Sequence, residues 1–282
     1  MIDLHTHSTA SDGSYAPSRL IELALDRGLK AIALTDHDTL AGIAEARGRA
    51  AGTSLTFIPG VEIEIEMESG EFHLLGLSLS GNCGPLESAL RHVQAARQSR
   101  NGRMVERFQA AGIPITMEEL KEIAGGDIIS RAHFARLLAR KKVVNSIDAA
   151  FKRLIGKGMQ FYEPRECLEL GEAVSLIRSA GGVAVIAHPV SLGLRGPALR
   201  THFTSCRDKG VGGIEAWHPN HTIKECHRLE KLARGLGMIA TGGSDFHGDH
   251  ILNRRLGFTS NGREVPNSIL ESLPLAQAAS PL

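Results

Sequence analysis

Histidines and acidic residues recur in this chain at intervals that invite a metal. The first residues read "DLHTHSTASDG", with His5, His7 and Asp12. His37 follows in "ALTDHDT", Glu62 in "PGVEIE" and His73 in "FHLLGLSL". Much later come His188 in "AHP", His218 and Asn220 in "WHPN", and Asp245 and His247 in "GGSDFHG". Imidazole with carboxylate suits zinc, manganese, iron or nickel. The four cysteines, Cys83, Cys167, Cys206 and Cys226, form no CxxC pair, which disfavours a structural zinc site. A His-x-His pair in a strand puts both rings on one face, because side chains alternate with period two. His5 and His7 therefore reach one ion.

Such residues work only if the chain brings them together. Short apolar runs precede nearly all of them: "MIDL", "KAIALTD", "LTFIPGVEIEIEM", "VAVIAHP", "GGIEAWHP" and "MIATGGSDFHG" read as strands. "FHLLGLSL" reads as the return strand of a hairpin, and brings the count to seven. The alternation after Val61 predicts one face toward water. Helices with glycine stops lie between, as in "APSRLIELALDRG" and "GEAVSLIRSAGG". A β-α-β-α-β order predicts parallel strands with outer helices. In a parallel β/α barrel the strand ends share one face, so residues far apart in the chain converge there.

Residues 84–163 break this rhythm with four helical patterns and no strand. The reading is therefore a barrel in two parts, 1–83 and 164–282, with an all-helical insertion at 84–163 acting as a cap. Little pattern is legible after Asn261.

The 282 residues carry 32 Lys+Arg and 31 Asp+Glu, a net charge of +1, which argues against a protein that coats long polyanions. Aromatics at 4% argue against a groove that stacks many bases. No basic, apolar leader opens the sequence and no apolar run approaches ~18 residues. A cytoplasmic protein that does not associate with membranes is expected.

Taken in order, "DLHTHSTASDG", "ALTDHDT", "PGVEIE", "AHP" and "GGSDFHG" resemble the signatures of the PHP (polymerase and histidinol phosphatase) domain family. The resemblance implies an α/β fold, a distorted (β/α)7 TIM-like barrel. It also implies two or three divalent ions, manganese first with zinc or iron as alternatives, in a site that hydrolyses phosphate esters. Carried over by position, His5, His7, Glu62 and Asp245 are expected to hold one ion. Glu62 bridges to a second, joined by His73 and His188. Asp12, His37 and His247 match the ligands of a third. A hydroxide bridging two ions would attack phosphorus, with His188 or His218 as proton donor to the leaving group.

The insertion within a free-standing PHP domain resembles the bacterial group acting on small nucleotides. That likeness implies a phosphatase releasing the 3′-phosphate of nucleoside 3′,5′-bisphosphates to leave a 5′-nucleotide such as AMP. Short RNA is a second substrate class, and no long nucleic-acid track is expected. Arg131 and His133, near a helix start in the insertion, are expected to clamp substrate phosphate, with His218 and Asn220 as further contacts. Three alternatives stay open: a histidinol-phosphate phosphatase, a 5′-3′ exoribonuclease or phosphodiesterase on short oligonucleotides, and a non-catalytic PHP module.

Overall fold

Seven strands lie side by side in chain order: β1 (Ile2–Asp3), β2 (Ala31–Leu34), β3 (Thr56–Ile65), β4 (Phe72–Leu77), β5 (Val183–Ile186), β6 (Gly213–Trp217) and β7 (Ile239–Gly242). This is a computed structural model, and it describes residues 1–67, 70–124, 128–164, 166–249, 251 and 253–274. All neighbours pair parallel except β4, which runs antiparallel to both β3 and β5. The Leu4 amide donates to Gly242 O at 3.2 Å and the His7 amide to Phe246 O at 2.9 Å, drawing the first strand onto the last. The sheet is thereby a nearly closed barrel.

Reversal of β4 serves the site. A parallel strand offers its C-terminal end to the functional mouth, and an antiparallel one offers its start. His73, the second residue of β4, pairs with Glu64 in register, while Glu62 pairs with Leu75. His73 and Glu62 are thus diagonal neighbours on one face of the hairpin.

The outer layer follows helical periodicity. In α1 (Pro17–Asp26), proline opens the first turn, and Leu20, Ile21 and Ala24 are buried. They pack with Leu34 of β2, Ala46 of α2 (Ile43–Ala50) and Phe246. Further on are α7 (Leu170–Ser179), α8 (Gly196–Asp208), α9 (Ile223–Gly235) and α10 (Ser268–Ser272). The last corrects the expectation of a patternless tail, although 275–282 lie outside the described residues. The expected water-facing side of β3 holds only toward its end: Glu62 is 1% exposed, because there the face turns into the barrel, whereas Glu64 is partly exposed.

Contacts divide the chain into two compact units, Met1–Leu90 with Cys167–Leu282, and Arg91–Glu166. The boundary falls within α3 (Gly84–Ala110). The second unit adds α4 (Met117–Ala124), α5 (Arg131–Arg140) and α6 (Ile147–Ala150), the last continuing as a π-turn over Phe151–Ile155. It has a core of its own around Phe108, Phe134, Leu138 and Phe161, with the Phe108 and Phe161 rings stacked at 4.0 Å. Among the described residues, no helix is long and apolar enough to cross a membrane.

Candidate metal centre

Glu62 stands at the middle of the barrel mouth, ringed by five imidazoles. Its Oε2 lies 3.2 Å from His5 Nε2, 3.3 Å from His7 Nε2 and 3.2 Å from His37 Nδ1. Its Oε1 lies 2.9 Å from His73 Nδ1 and 2.8 Å from His188 Nε2. Asp245 Oδ1 is 3.2 Å from His7 Nε2, 3.5 Å from His5 Nε2 and 3.4 Å from His247 Nδ1. Asp12 Oδ1 lies 3.3 Å from His247 Nε2.

Three donor sets emerge among the described residues. His5, His7, Glu62 and Asp245 are all buried; His37, Glu62 and His73 form a second set; His7, Asp12, His37 and His247 form a third, more open one. Within each set the ligand atoms lie within 4.8 Å of one another, so each could hold a cation. Eight of the nine expected ligands fall in these sets. His188 joins through its contact with Glu62. Neither ring nitrogen of buried His7 makes a well-directed hydrogen bond. Buried lone pairs that converge with carboxylates, and find no better partner, fit a divalent cation.

Without cations, charge is balanced by protons. Burial pulls the His7 pKa down, but Asp245 and Glu62 outweigh it and raise it from 6.5 to about 10. His5 is likewise held well above its ordinary value by Glu215, Glu62 and Asp245 despite burial. Five rings around one carboxylate cannot all be charged. His37 is the one pushed down, to about 3, by burial and by its His7 and His73 neighbours. Glu62, Asp245 and Asp12 are held well below the usual carboxylate range by the surrounding histidines, against the opposing effect of burial.

This predicts coupled proton release. At neutral pH an incoming ion must displace the proton on His7, so apparent metal affinity rises with pH until about 10 and falls as pH drops. Calorimetric titration of metal into the protein, in buffers of different ionisation enthalpy, should show at least one proton released per ion. Buffer-independent heats would contradict it.

Several residues that the sequence reading left unassigned hold the ligands in place. Glu215, a lone acid inside apolar β6, is fully buried. Its Oε1 is 3.0 Å from His5 Nδ1, and its Oε2 accepts the His188 amide at 2.6 Å. That contact keeps a proton on Nδ1, so that Nε2, which faces Glu62, is the nitrogen an incoming ion would deprotonate and bind. His188 has φ 21° and Asp245 φ 51°, both in the left-handed region. Such strain persists where other contacts over-determine it, as Glu215 does at His188. Asp36 accepts from Ser8 N (2.7 Å), Ser8 Oγ (2.7 Å) and Ser11 Oγ (2.6 Å), and so folds the loop that carries Asp12. Asp3, two residues before His5 and on the same face, accepts from Ser244 N, Ser244 Oγ and Gly257 N. For Glu215 the signal was an acid within an apolar strand, not at its end; Asp3 closes β1, and Asp36 follows β2.

Two glycines are obligatory in this packing. A Cβ on Gly13 would lie 2.4 Å from His7 O, and one on Gly243 would lie 2.4 Å from His5 Cβ.

His218 is fully buried. Its Nδ1 lies 3.1 Å from the Asn220 amide, and its Nε2 lies 3.4 Å from Asp245 Oδ2. Burial lowers its pKa to about 4, against the pull of Glu215 and Asp245. Arg254, absent from the sequence reading, sets Nη1 2.9 Å from Asp245 Oδ2 and 2.7 Å from His218 Nε2. The Asn220 side chain is exposed. Arg131 and His133 belong to the second unit. There the Arg131 guanidinium lies 5.5 Å over the Tyr162 ring, and His133, 4% exposed, accepts the Ser130 amide at 3.0 Å in a capping box.

The PHP-domain profile matches residues 3–154. A 5′-3′ exoribonuclease of Haemophilus influenzae is 34% identical over 245 residues, 87% of this chain and 89% of that one. A 3′,5′-nucleoside bisphosphate phosphatase of Chromobacterium violaceum is 32% identical over 261 residues, 92% of each chain. A crystal structure from Bifidobacterium adolescentis, of a protein named as a metal-dependent phosphoesterase, superposes with TM-score 0.79 at 28% identity, covering 96% of this chain and 94% of its own.

Proposed function

The chain belongs to the PHP-domain family of metal-dependent phosphoesterases, and from that premise we propose that it hydrolyses the 3′-phosphate of nucleoside 3′,5′-bisphosphates. The products are a nucleoside 5′-monophosphate, such as AMP, and phosphate. The observation that carries the reading is the convergence of three donor sets on the barrel mouth, in a chain similar over 92% of its length to a bisphosphate phosphatase.

Two or three divalent ions, with manganese preferred over zinc or iron, are assigned to His5, His7, Asp12, His37, Glu62, His73, His188, Asp245 and His247. When bound, such ions neutralise phosphate charge, align the ester and lower the pKa of water toward ~7. Glu215 keeps the Nε2 lone pair of His5 aimed inward. The proton for the leaving oxygen is assigned to His218 or His188. His188 presents Nε2 to Glu62, whereas His218 sets Nε2 beside Asp245 and Arg254. Arg131, His133, Asn220 and His218 are proposed to contact substrate, with the helical insertion as a cap.

A second reading, release of mononucleotides from the 5′ end of short RNA, is favoured by the likeness to the Haemophilus influenzae enzyme. It is also favoured by the charge of residues 91–166, where Lys and Arg are nearly twice as numerous as Asp and Glu. Steady-state kinetics on purified, metal-loaded protein separate the readings. kcat/KM for adenosine 3′,5′-bisphosphate should exceed that for a short RNA, or for histidinol phosphate, by at least about 10-fold, or ~1.4 kcal/mol in transition-state stabilisation. The reverse order for either competitor would replace the first reading with that one.

A further inference from the structure

The hairpin of β3 and β4 sets one histidine between two glutamates. Side chains alternate along β3, so Glu62 and Glu64 lie on the same face of the strand. His73 pairs directly with Glu64 across the ladder. Its Nδ1 lies 2.9 Å from Glu62 Oε1, and its Nε2 lies 3.5 Å from Glu64 Oε2. The two nitrogens of the ring thus face two different carboxylates.

These carboxylates differ in their surroundings. Glu62 is 1% exposed and touches four further imidazoles. The Glu64 side chain is 21% exposed and enters none of the three donor sets. Water at the rim spares Glu64 most of the desolvation cost that a buried carboxylate bears, and it also screens the attraction of Glu64 for the ring.

An imidazole gives a lone pair to a cation through one nitrogen only while its proton rests on the other. A carboxylate beside Nε2 favours the proton there, so Nδ1 is the nitrogen an incoming ion would deprotonate and bind. The arrangement at His5 has the same logic with the nitrogens exchanged: Glu215 faces Nδ1, and Nε2 faces Glu62. Glu215 acts from the buried interior and Glu64 from the rim. The other neighbours of the His73 ring do not make this choice. The His37 and His188 rings meet it edge-on, with centroids 5.6 and 5.0 Å away. Such contacts limit the tilt of the ring without distinguishing its nitrogen edge from its carbon edge. Glu64 does distinguish them, because turning the ring over puts a C–H where Nε2 meets the carboxylate.

We propose that Glu64 is the positioning residue of the His37–Glu62–His73 set, and that it raises the affinity of this set for a divalent cation by fixing the His73 ring. The proposal rests on the metal assignment in the phosphoesterase reading above, and not on which ester is cleaved. Its effect is local: the set that contains His73 loses affinity when Glu64 is altered, and the set of His5, His7, Glu62 and Asp245 does not.

The test uses the full chain freed of metal, with Mn2+ alone as the probe, in competition with a fluorescent chelator. Four proteins are compared: wild type, Glu64→Gln, His73→Ala and the double variant. Glutamine keeps the size of the side chain and removes its charge at a partly exposed position, where folding tolerates the change. Glu64→Gln should weaken one Mn2+ binding step about 10-fold, the low end of the range for a supporting partner, and leave another step unaltered. In the His73→Ala background the same substitution should change affinity by less than about 2-fold, because the ring through which Glu64 acts is gone. Unaltered affinity in Glu64→Gln would overturn the proposal. So would an equal loss with and without His73, which would make Glu64 a bulk charge and not a hold on the ring. Failure of the metal assignment looks different: His73→Ala would then bind Mn2+ as wild type does, and both readings would fall together.

Discussion

Glu62→Gln is expected to remove bound metal and lower kcat/KM by about 10^4-fold, or ~5.4 kcal/mol in transition-state stabilisation. No other side chain touches so many of the assigned ligands: both oxygens are used, against five imidazoles. An amide keeps the shape but offers one neutral oxygen where two anionic ones stood, and turns an NH2 donor toward His nitrogens that must act as lone-pair donors. The position is buried at 1% exposure, so water cannot substitute. Metal content by plasma emission and turnover on adenosine 3′,5′-bisphosphate should fall together. Circular dichroism should remain that of the native fold. A variant retaining wild-type metal content and turnover would refute the assignment of Glu62 as the shared ligand.

Glu215→Gln should have the next largest effect, although Glu215 is assigned to no ion. Its carboxylate fixes the proton of His5 and anchors the amide of His188, two ligands from strands far apart in the chain. Loss of such a supporting partner typically costs 10- to 100-fold in metal affinity. A drop of that size is expected in competition with a fluorescent chelator. The variant should also change acid stability. Burial alone would raise the Glu215 pKa, but His5 and His218 hold it down at about 2, against an ordinary 4.5. Its ionised form therefore contributes stability above pH ~4.5, and this contribution is lost as pH falls toward 2. The wild-type unfolding midpoint should fall more steeply over that window than the midpoint of the variant. Identical slopes and unchanged metal affinity would show that Glu215 only fills space.

The difference between these two glutamates explains what the sequence discloses. His5 and His7 were legible because period two is a local rule, Asp245 and His247 because they follow the last strand, and Glu62 because it follows the Pro59–Gly60 break within β3 in a motif order that resembles the family's. The return of β4 was legible as a hairpin, so His73 could be placed at the mouth. Glu215, Asp3 and Arg254 were not legible. Each acts through a partner distant in sequence, and no local spacing records that Glu215 will face His5. The inward turn of β3 at Glu62 was not legible for a related reason: alternation reports two environments but not which of them is water. Arg131 and His133 show the limit from the other side. A histidine at a helix start signals an anion site and a capping box alike, and His133 closes a capping box.

Closure of the sheet fixes when the centre comes into being. The first strand is sealed by the last, through Leu4 and Gly242, and Asp3 is held by Ser244 and Gly257. A chain emerging from the ribosome makes His5 and His7 first, yet they lack Asp245 until almost all of the described sequence has been synthesised. If the centre holds the proposed cations, their uptake would follow closure of the barrel, because Asp245 joins His5 and His7 only then.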